Sequence, residues 1–120
     1  MLFSLQVFDR GAWSVVAVTG ELELGTAPRL RQQVVSLVGD GHRHIVIDLS
    51  GVEFVDSLGL GVLVSALKRI RAHEGELRVA GPVPRVRALF ALTRLEEIID
   101  VYESVDDAVG APSAGEPPDG

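Results

Sequence analysis

The clearest pattern at the start of the chain is that of a β-hairpin. Side chains in residues 2–8 fall on alternating sides, residues 13–19 are rich in valine, and Asp9–Gly11 between them is a turn signal. Residues 20–23 follow as a connector. Farther along, an apolar, β-branched run predicts a buried central strand at Ile45–Leu49. Shorter runs predict two more strands, over residues 76–80 and 98–102.

Apolar residues at helical spacing occupy the segments between these strands. Thr26 is a favoured N-cap residue and Pro28 is tolerated in a first helical turn, so a first helix is predicted to begin there and to end at residues 39–41. The longest helical pattern runs from Leu58 to about Ala72, a third runs from Pro84 to about Thr93, and Ser104 can cap a short final helix. The stripes that mark the first two helices are Leu30, Val34, Leu37 and Val38, and then Leu60, Leu63, Val64, Leu67 and Ile70.

The order of elements is therefore β-β-α-β-α-β-α-β-α. Helices between strands imply crossover connections and a mainly parallel sheet, whereas the two strands of the hairpin must be antiparallel. We predict an α/β fold in which residues 1–109 form one domain, with a mixed β-sheet of about five strands and about four helices. From Gly110 onward the chain has no aliphatic or aromatic side chain larger than alanine, so residues 110–120 are expected to form a disordered acidic Pro/Gly tail.

Composition narrows the classes of function. The 120 residues suit one domain, and the formal net charge is −6. Residues 96–120 contain eight acidic residues and neither Lys nor Arg, which disfavours nucleic acid as a direct partner. The chain has no cysteine, and no run approaches the roughly 18 apolar residues of a membrane span. We therefore expect a cytoplasmic protein that does not contact a membrane.

The most informative stretch is the junction between the central strand and the longest helix, where Asp56 and Ser57 stand. Serine is a favoured N-cap residue, so Ser57 is predicted to cap this helix. A helix N-terminus also tolerates a phosphate, because its free N–H groups and its dipole favour negative charge. Ser57 could therefore be both the cap and a phosphorylation site. Asp56 is interpreted as a turn residue, a second acceptor for capping N–H groups, or a carboxylate that a partner contacts.

Three neighbours of Ser57 leave alternatives open. Gly59 and Gly61 lower helix propensity, and they indicate either close packing of the helix on the preceding strand or open access for a partner. They resemble the start of a dinucleotide-binding fingerprint, but the third glycine position is Val64. Leu58 lies off the main apolar stripe, so it either packs on the turn or contacts a partner.

Catalytic and metal-binding chemistry is poorly supported. No Gly-x-Ser-x-Gly pattern surrounds Ser57, so a serine hydrolase is not indicated. The histidines, His42, His44 and His73, lie in or beside predicted loops without carboxylates or cysteines at ligand spacing. We predict no catalytic residues, no metal site and no cofactor.

With these residues identified, the chain resembles the bacterial anti-sigma factor antagonists, which are stand-alone STAS-domain proteins. The resemblance runs from about Leu5 to Val109. It rests on three segments: Gly-Glu-Leu-Glu-Leu-Gly-Thr-Ala-Pro at 20–28, Val-Ile-Asp-Leu-Ser-Gly-Val-Glu-Phe-Val-Asp-Ser-Leu-Gly-Leu-Gly-Val-Leu at 46–63, and Leu-Arg-Val-Ala-Gly-Pro at 77–82. Two positions depart from the family pattern, which usually has Ser or Thr at Leu58 and more often Asp at Glu23.

This resemblance implies a function. Ser57 would be phosphorylated by an anti-sigma factor that is itself a serine/threonine kinase, with Asp56 and Gly59 as its motif neighbours. The unmodified protein would bind that kinase and so release the sigma factor, phosphorylation would abolish binding, and a phosphoserine phosphatase would restore it. The residues expected to contact the partner are Glu21, Asp56, Ser57, Leu58, Gly59 and Gly61.

Two other functions stay open. The domain could sense a nucleotide or lipid near the start of the second helix, or serve as a scaffold module in a regulatory complex. The other is an esterase that uses Ser57 as a nucleophile; it predicts covalent labelling by a serine-reactive phosphonate, and we expect none.

Overall fold

In the computed structural model, residues 2–113 are described. They form five strands and four α-helices, with one 3-10 turn at Leu95–Glu97. The strands are β1 (Ser4–Arg10), β2 (Trp13–Leu22), β3 (His44–Val55), β4 (Glu76–Ala80) and β5 (Asp100–Tyr102). The helices are α1 (Ala27–Gly39), α2 (Ser57–Ala72), α3 (Pro84–Leu92) and α4 (Val105–Gly110). The predicted α/β class and the predicted element order are both confirmed.

The strands form a single mixed sheet in the order β1-β2-β3-β4-β5. β1 and β2 are antiparallel and joined by a two-residue turn, in which Gly11 has φ 62° while Ala12 keeps a negative φ. This is the pattern of a type II′ turn, whose twist matches that of a hairpin. The other neighbours all pair in parallel, as the crossover connections predict.

Each face of the sheet is covered differently. The larger core lies between one face and α1, α2 and α3, and it includes the fully buried Ile47, Leu63 and Phe90. The smaller core lies on the other face under the short α4, where Trp13 and Ala108 are buried. Because side chains alternate along a strand, the central strands are apolar toward both cores.

Two strands are longer than predicted. β2 continues to Leu22 through the residues expected to form a connector, and β3 continues to Val55, beyond the predicted end of the central strand at Leu49. The pairing of the two strands shifts register between Ala17 and Thr19 and again between Gly20 and Glu21. Polar residues are accommodated in these extensions because the outer ends of both strands are partly exposed. The extensions bring the end of β3 directly to the start of α2.

A buried arginine fastens α4 to the sheet. Arg78 in β4 is only 1% exposed, and its guanidinium lies 4.3 Å from the centre of the Trp13 ring. Nη1 donates to the carbonyl oxygens of Ala108 (2.6 Å) and Ala111 (2.9 Å), and Nη2 donates to that of Pro112 (2.8 Å). These carbonyls lie at the C-terminal end of α4, where a cation is favoured by the helix dipole. Most of the predicted disordered tail, residues 114–120, lies outside the described residues.

The N-terminus of α4 is capped as the sequence predicts. The Ser104 hydroxyl accepts a hydrogen bond from the Asp107 N–H at 3.0 Å. None of the helices within residues 2–113 has the length and apolar composition needed to span a membrane.

Candidate functional site

The candidate site is the corner where the ends of β2 and β3 meet the start of α2. Leu22 and Val55 are paired at the ends of the two strands, and the Asp56 N–H donates to the Leu22 carbonyl oxygen at 3.1 Å. Asp56 has extended backbone angles, and helical geometry begins at the next residue. The polypeptide therefore turns from strand into helix without an intervening loop.

Asp56, and not Ser57, caps α2. The Asp56 Oδ1 atom accepts from the Gly59 N–H at 2.8 Å, and its Oδ2 atom accepts from the Leu24 N–H at 3.0 Å. The prediction that Ser57 caps the helix is wrong, because the aspartate one residue earlier occupies the N-cap position. Asp56 instead fills its second predicted role as an acceptor, and it also joins the helix to the segment that follows β2.

Ser57 is consequently the first residue of α2, and its side chain is exposed. The capping hydrogen bonds are made by its neighbour, so they do not occupy its hydroxyl. Free backbone N–H groups of the first helical turn and the positive end of the helix dipole lie beside it. A negative charge added to Ser57 would therefore be tolerated by the fold.

The two glycines of the motif differ in their surroundings. A Cβ atom built on Gly59 would lie 2.5 Å from the Leu22 carbonyl oxygen and 2.9 Å from Val55 Cγ1, so α2 packs directly on the strand ends there. A Cβ atom on Gly61 would meet nothing within 4 Å. The close-packing interpretation is therefore correct for Gly59, whereas Gly61 lies on open surface.

Large apolar side chains are exposed around Ser57. Leu58 is 49% exposed, Phe54 is 42% exposed, and Leu24 is 68% exposed. The sequence leaves open whether Leu58 packs on the turn or contacts a partner, and the structure leaves about half of this side chain in solvent. Sequence reasoning missed both of the other residues, because Leu24 falls between the predicted connector and the predicted first helix, and Phe54 lies beyond the predicted end of the central strand.

Glu21 lies near the C-terminal end of β2, at the same end of the sheet as Ser57. It is exposed and is paired with Phe54 across the two strands. Its carbonyl oxygen accepts from the Thr26 hydroxyl at 2.6 Å, while the same hydroxyl accepts from the Glu23 N–H at 3.0 Å. Thr26 occupies the N-cap position of α1 as predicted, but its side chain binds this preceding turn and not the helix. Two sets of contacts thus hold the segment between β2 and α1: the Thr26 hydroxyl bonds to Glu21 and Glu23, and Asp56 accepts from the Leu24 N–H.

The histidines lie away from this corner: His42 precedes β3, His44 begins it, and His73 is the C-cap residue of α2. His42 Nδ1 lies 2.6 Å from the hydroxyl of the buried Ser14, and the His44 ring packs edge-on against Trp13 at 5.1 Å between ring centres. Within residues 2–113, no group of three or more His, Cys, Asp or Glu side chains is arranged to hold a metal ion.

Comparisons with known proteins identify the family. The family model of the STAS domain matches residues 5–108. An anti-sigma-B factor antagonist of Staphylococcus aureus (strain NCTC 8325 / PS 47) is 35% identical over 106 residues, which cover 88% of this chain and 98% of that protein.

Solved structures give the same result. The crystal structure of an anti-sigma factor antagonist from Mycobacterium paratuberculosis superimposes with a TM-score of 0.82 at 35% identity, over 90% of this chain and 92% of that one. The Bacillus cell fate determinant SpoIIAA in its phosphorylated form has a TM-score of 0.68 at 21% identity, over 90% of this chain and 96% of that one, which is a likeness of fold. The resemblance inferred from the motifs is confirmed, and the chain belongs to the STAS domain family, which includes anti-sigma factor antagonists.

Proposed function

We propose that this protein is an anti-sigma factor antagonist that is controlled by phosphorylation of Ser57. In its unmodified form it binds an anti-sigma factor that is a serine/threonine kinase, and the sigma factor is released. Phosphorylation of Ser57 by that kinase abolishes binding, and a phosphoserine phosphatase reverses the modification. The protein is a regulatory binding protein and not an enzyme, and it acts in the cytoplasm without contacting DNA or a membrane itself.

The observation that carries this proposal is that Asp56 makes the structural hydrogen bonds of the corner and leaves Ser57 exposed. Asp56 supplies both capping and tethering hydrogen bonds, whereas Ser57 stands exposed at the first position of the helix. Phosphorylation therefore needs no structural hydrogen bond to be broken. The curated relatives named as anti-sigma-B factor antagonists support the same assignment at 35% identity.

The switch is an electrostatic change on a docking surface. A phosphoserine adds about 1.5–2 negative charges at neutral pH, here beside the Asp56 carboxylate. The helix dipole stabilises that charge within the domain by only about 0.3–1 kcal/mol, so the phosphate stays available to act on a partner. A tenfold loss of affinity requires only about 1.4 kcal/mol of unfavourable interaction. A partner that covers Ser57 and lacks a facing cation would lose at least that much.

The remaining proposed contact residues fit one surface. The exposed residues around Ser57 include Leu58, Gly61 and Glu21. Gly59 allows the helix backbone to lie close to the ends of the strands. The nucleotide-sensing alternative gains no support from the cleft beside Leu58, because its lining is apolar apart from one arginine. A thermal-shift screen with nucleotides separates the two functions, since the proposal predicts no shift.

Phosphate transfer is the direct test. The protein is incubated with the candidate kinase and labelled ATP, and the wild type is compared with Ser57→Ala and Ser65→Ala. Ser65 is a matched control, because it is an exposed serine on the same helix. We expect the label in the wild type and in Ser65→Ala and none in Ser57→Ala. Equal labelling of all three proteins would refute Ser57 as the acceptor.

Binding of the kinase is measured next by titration calorimetry. Ser57→Asp should weaken binding by tenfold or more, while Ser57→Asn, which has a similar size and no charge, should weaken it much less. Equal affinities for the two variants would show that charge at this position does not control the complex.

A further inference from the structure

A cleft opens between the first turns of α1 and α2, directly beside Ser57. It has a volume of about 310 Å³ and is lined by Leu24, Ala27, Pro28, Arg31, Leu58 and Val62. Leu24 and Leu58 form its most exposed apolar walls, at 68% and 49% exposure. A cleft of this size lies at the lower end of the roughly 300–1,000 Å³ range of ligand pockets, so it suits one or two side chains better than a cofactor.

The lining of the cleft combines apolar side chains with one positive charge, that of Arg31. Arg31 is exposed at its edge, and none of the salt bridges among residues 2–113 uses this side chain. Every other lining residue is apolar. The complementary surface is therefore an apolar side chain with a carboxylate next to it.

The cleft and the phosphorylation site must be covered by the same partner. Leu58 is the residue after Ser57, and Val62 lies one helical turn farther along α2. A kinase whose active site reaches the Ser57 hydroxyl therefore also covers the opening of the cleft. Apolar anchors that fill such clefts near the centre of an interface contribute most of the binding energy.

Resting on the proposed function, we infer that this cleft is the anchor site for the kinase, and that Leu58 and Leu24 determine which kinase binds. The kinase inserts an aliphatic or aromatic side chain between α1 and α2 and places an acidic side chain opposite Arg31. Binding here positions the Ser57 hydroxyl for transfer, and the anchor itself takes no part in the chemistry.

The test uses the full chain and the purified kinase that phosphorylates Ser57. Leu24→Ser and Leu58→Ser remove the apolar walls from exposed positions, so each should leave the fold intact. We expect the Kd for the kinase to rise at least tenfold in each. The KM for phosphorylation should rise in parallel while kcat stays within about twofold, because uniform binding is lost and transition-state stabilisation is kept. Leu92→Ser is the matched control, because Leu92 is 80% exposed at the end of α3.

Charge reversal at the edge of the cleft gives a second measurement. Arg31→Glu should weaken binding at least tenfold, and the loss should shrink at high salt. Arg87→Glu, at an exposed position on α3, should have no effect. Methyl NMR during the titration should show the largest shifts at Leu24, Leu58 and Val62.

The outcomes separate the two proposals. If Ser57 is phosphorylated and the cleft variants bind as tightly as the wild type, the anchor site is refuted and the proposed function stands. The same conclusion holds if the NMR shifts lie away from the cleft. If no kinase phosphorylates Ser57, both proposals fall together.

Discussion

Replacement of Arg78 by methionine tests how the C-terminal helix is held on the sheet. The arginine is buried, and its three hydrogen bonds to carbonyl oxygens are made at the end of α4. Helix α4 has only six residues, which is too short for a stable isolated helix. Its position therefore depends on packing in the smaller core, on Arg78, and on the exposed ion pair between Arg10 and Asp106.

The expected cost follows from these contacts. Each hydrogen bond to a charged group contributes about 1.5–3 kcal/mol, and methionine recovers part of the loss through its apolar surface. Removing one partner of a buried charged network typically costs about 3–5 kcal/mol, because the other polar groups stay behind. We expect Arg78→Met to lose about that amount, a large share of the roughly 5–15 kcal/mol that stabilises a typical domain.

Urea unfolding, followed by circular dichroism and by fluorescence, measures this loss. Trp13 is the only tryptophan and is 7% exposed beneath α4, so its emission should shift to the red when α4 is released. Arg94→Met is the control, because the Arg94 side chain is 79% exposed and its pair with Glu97 should contribute less than about 1 kcal/mol. If Arg78→Met is as stable as the wild type and its emission is unchanged, burial of the cation costs as much as its contacts return, and the reasoning is wrong.

The start of α2 yields further predictions, all measured by urea unfolding. Gly59→Ala should lower the free energy of unfolding by about 1–3 kcal/mol, because its Cβ atom would overlap the Leu22 carbonyl oxygen. Gly61→Ala should raise it by up to about 1 kcal/mol, because that position is open. Equal effects of the two substitutions would contradict the packing described. Asp56→Ala should lower the free energy of unfolding by about 1–2 kcal/mol, because the helix cap is lost, and Asp56→Asn should lower it clearly less. If neither substitution lowers stability, the contacts to Gly59 and Leu24 are unimportant.

The sequence predicted what depends on local patterns. Hairpin, crossovers and helices follow from periodicity, and the Asp-Ser-x-Gly-x-Gly motif located the corner of the site. Local patterns could not decide which of two adjacent capping residues, Asp56 or Ser57, would take the cap, because both side chains are suited to it. The second bond to Asp56, from the N–H of Leu24, links segments 32 residues apart.

Other features depended on distant contacts as well. Arg78 was not singled out from the sequence, because its burial depends on carbonyl groups 30 or more residues later in the chain. The extensions of β2 and β3 were not predicted, because residues 20–23 were expected to form a connector and the central strand was expected to end at Leu49. Pairing between the two segments holds both of them in the sheet. In each case tertiary contacts overrode the local preference of the sequence.

The close approach of backbones at Gly59 has a consequence for the rate of the proposed switch. Because the helix and strand backbones are in direct contact at Gly59, the proposed phosphorylation of Ser57 would leave the backbone of this corner in place. The unmodified and phosphorylated proteins should have the same backbone conformation, so no slow conformational change would delay the response. If the proposed function is correct, the rates of the kinase and the phosphatase would then set the timing of the response.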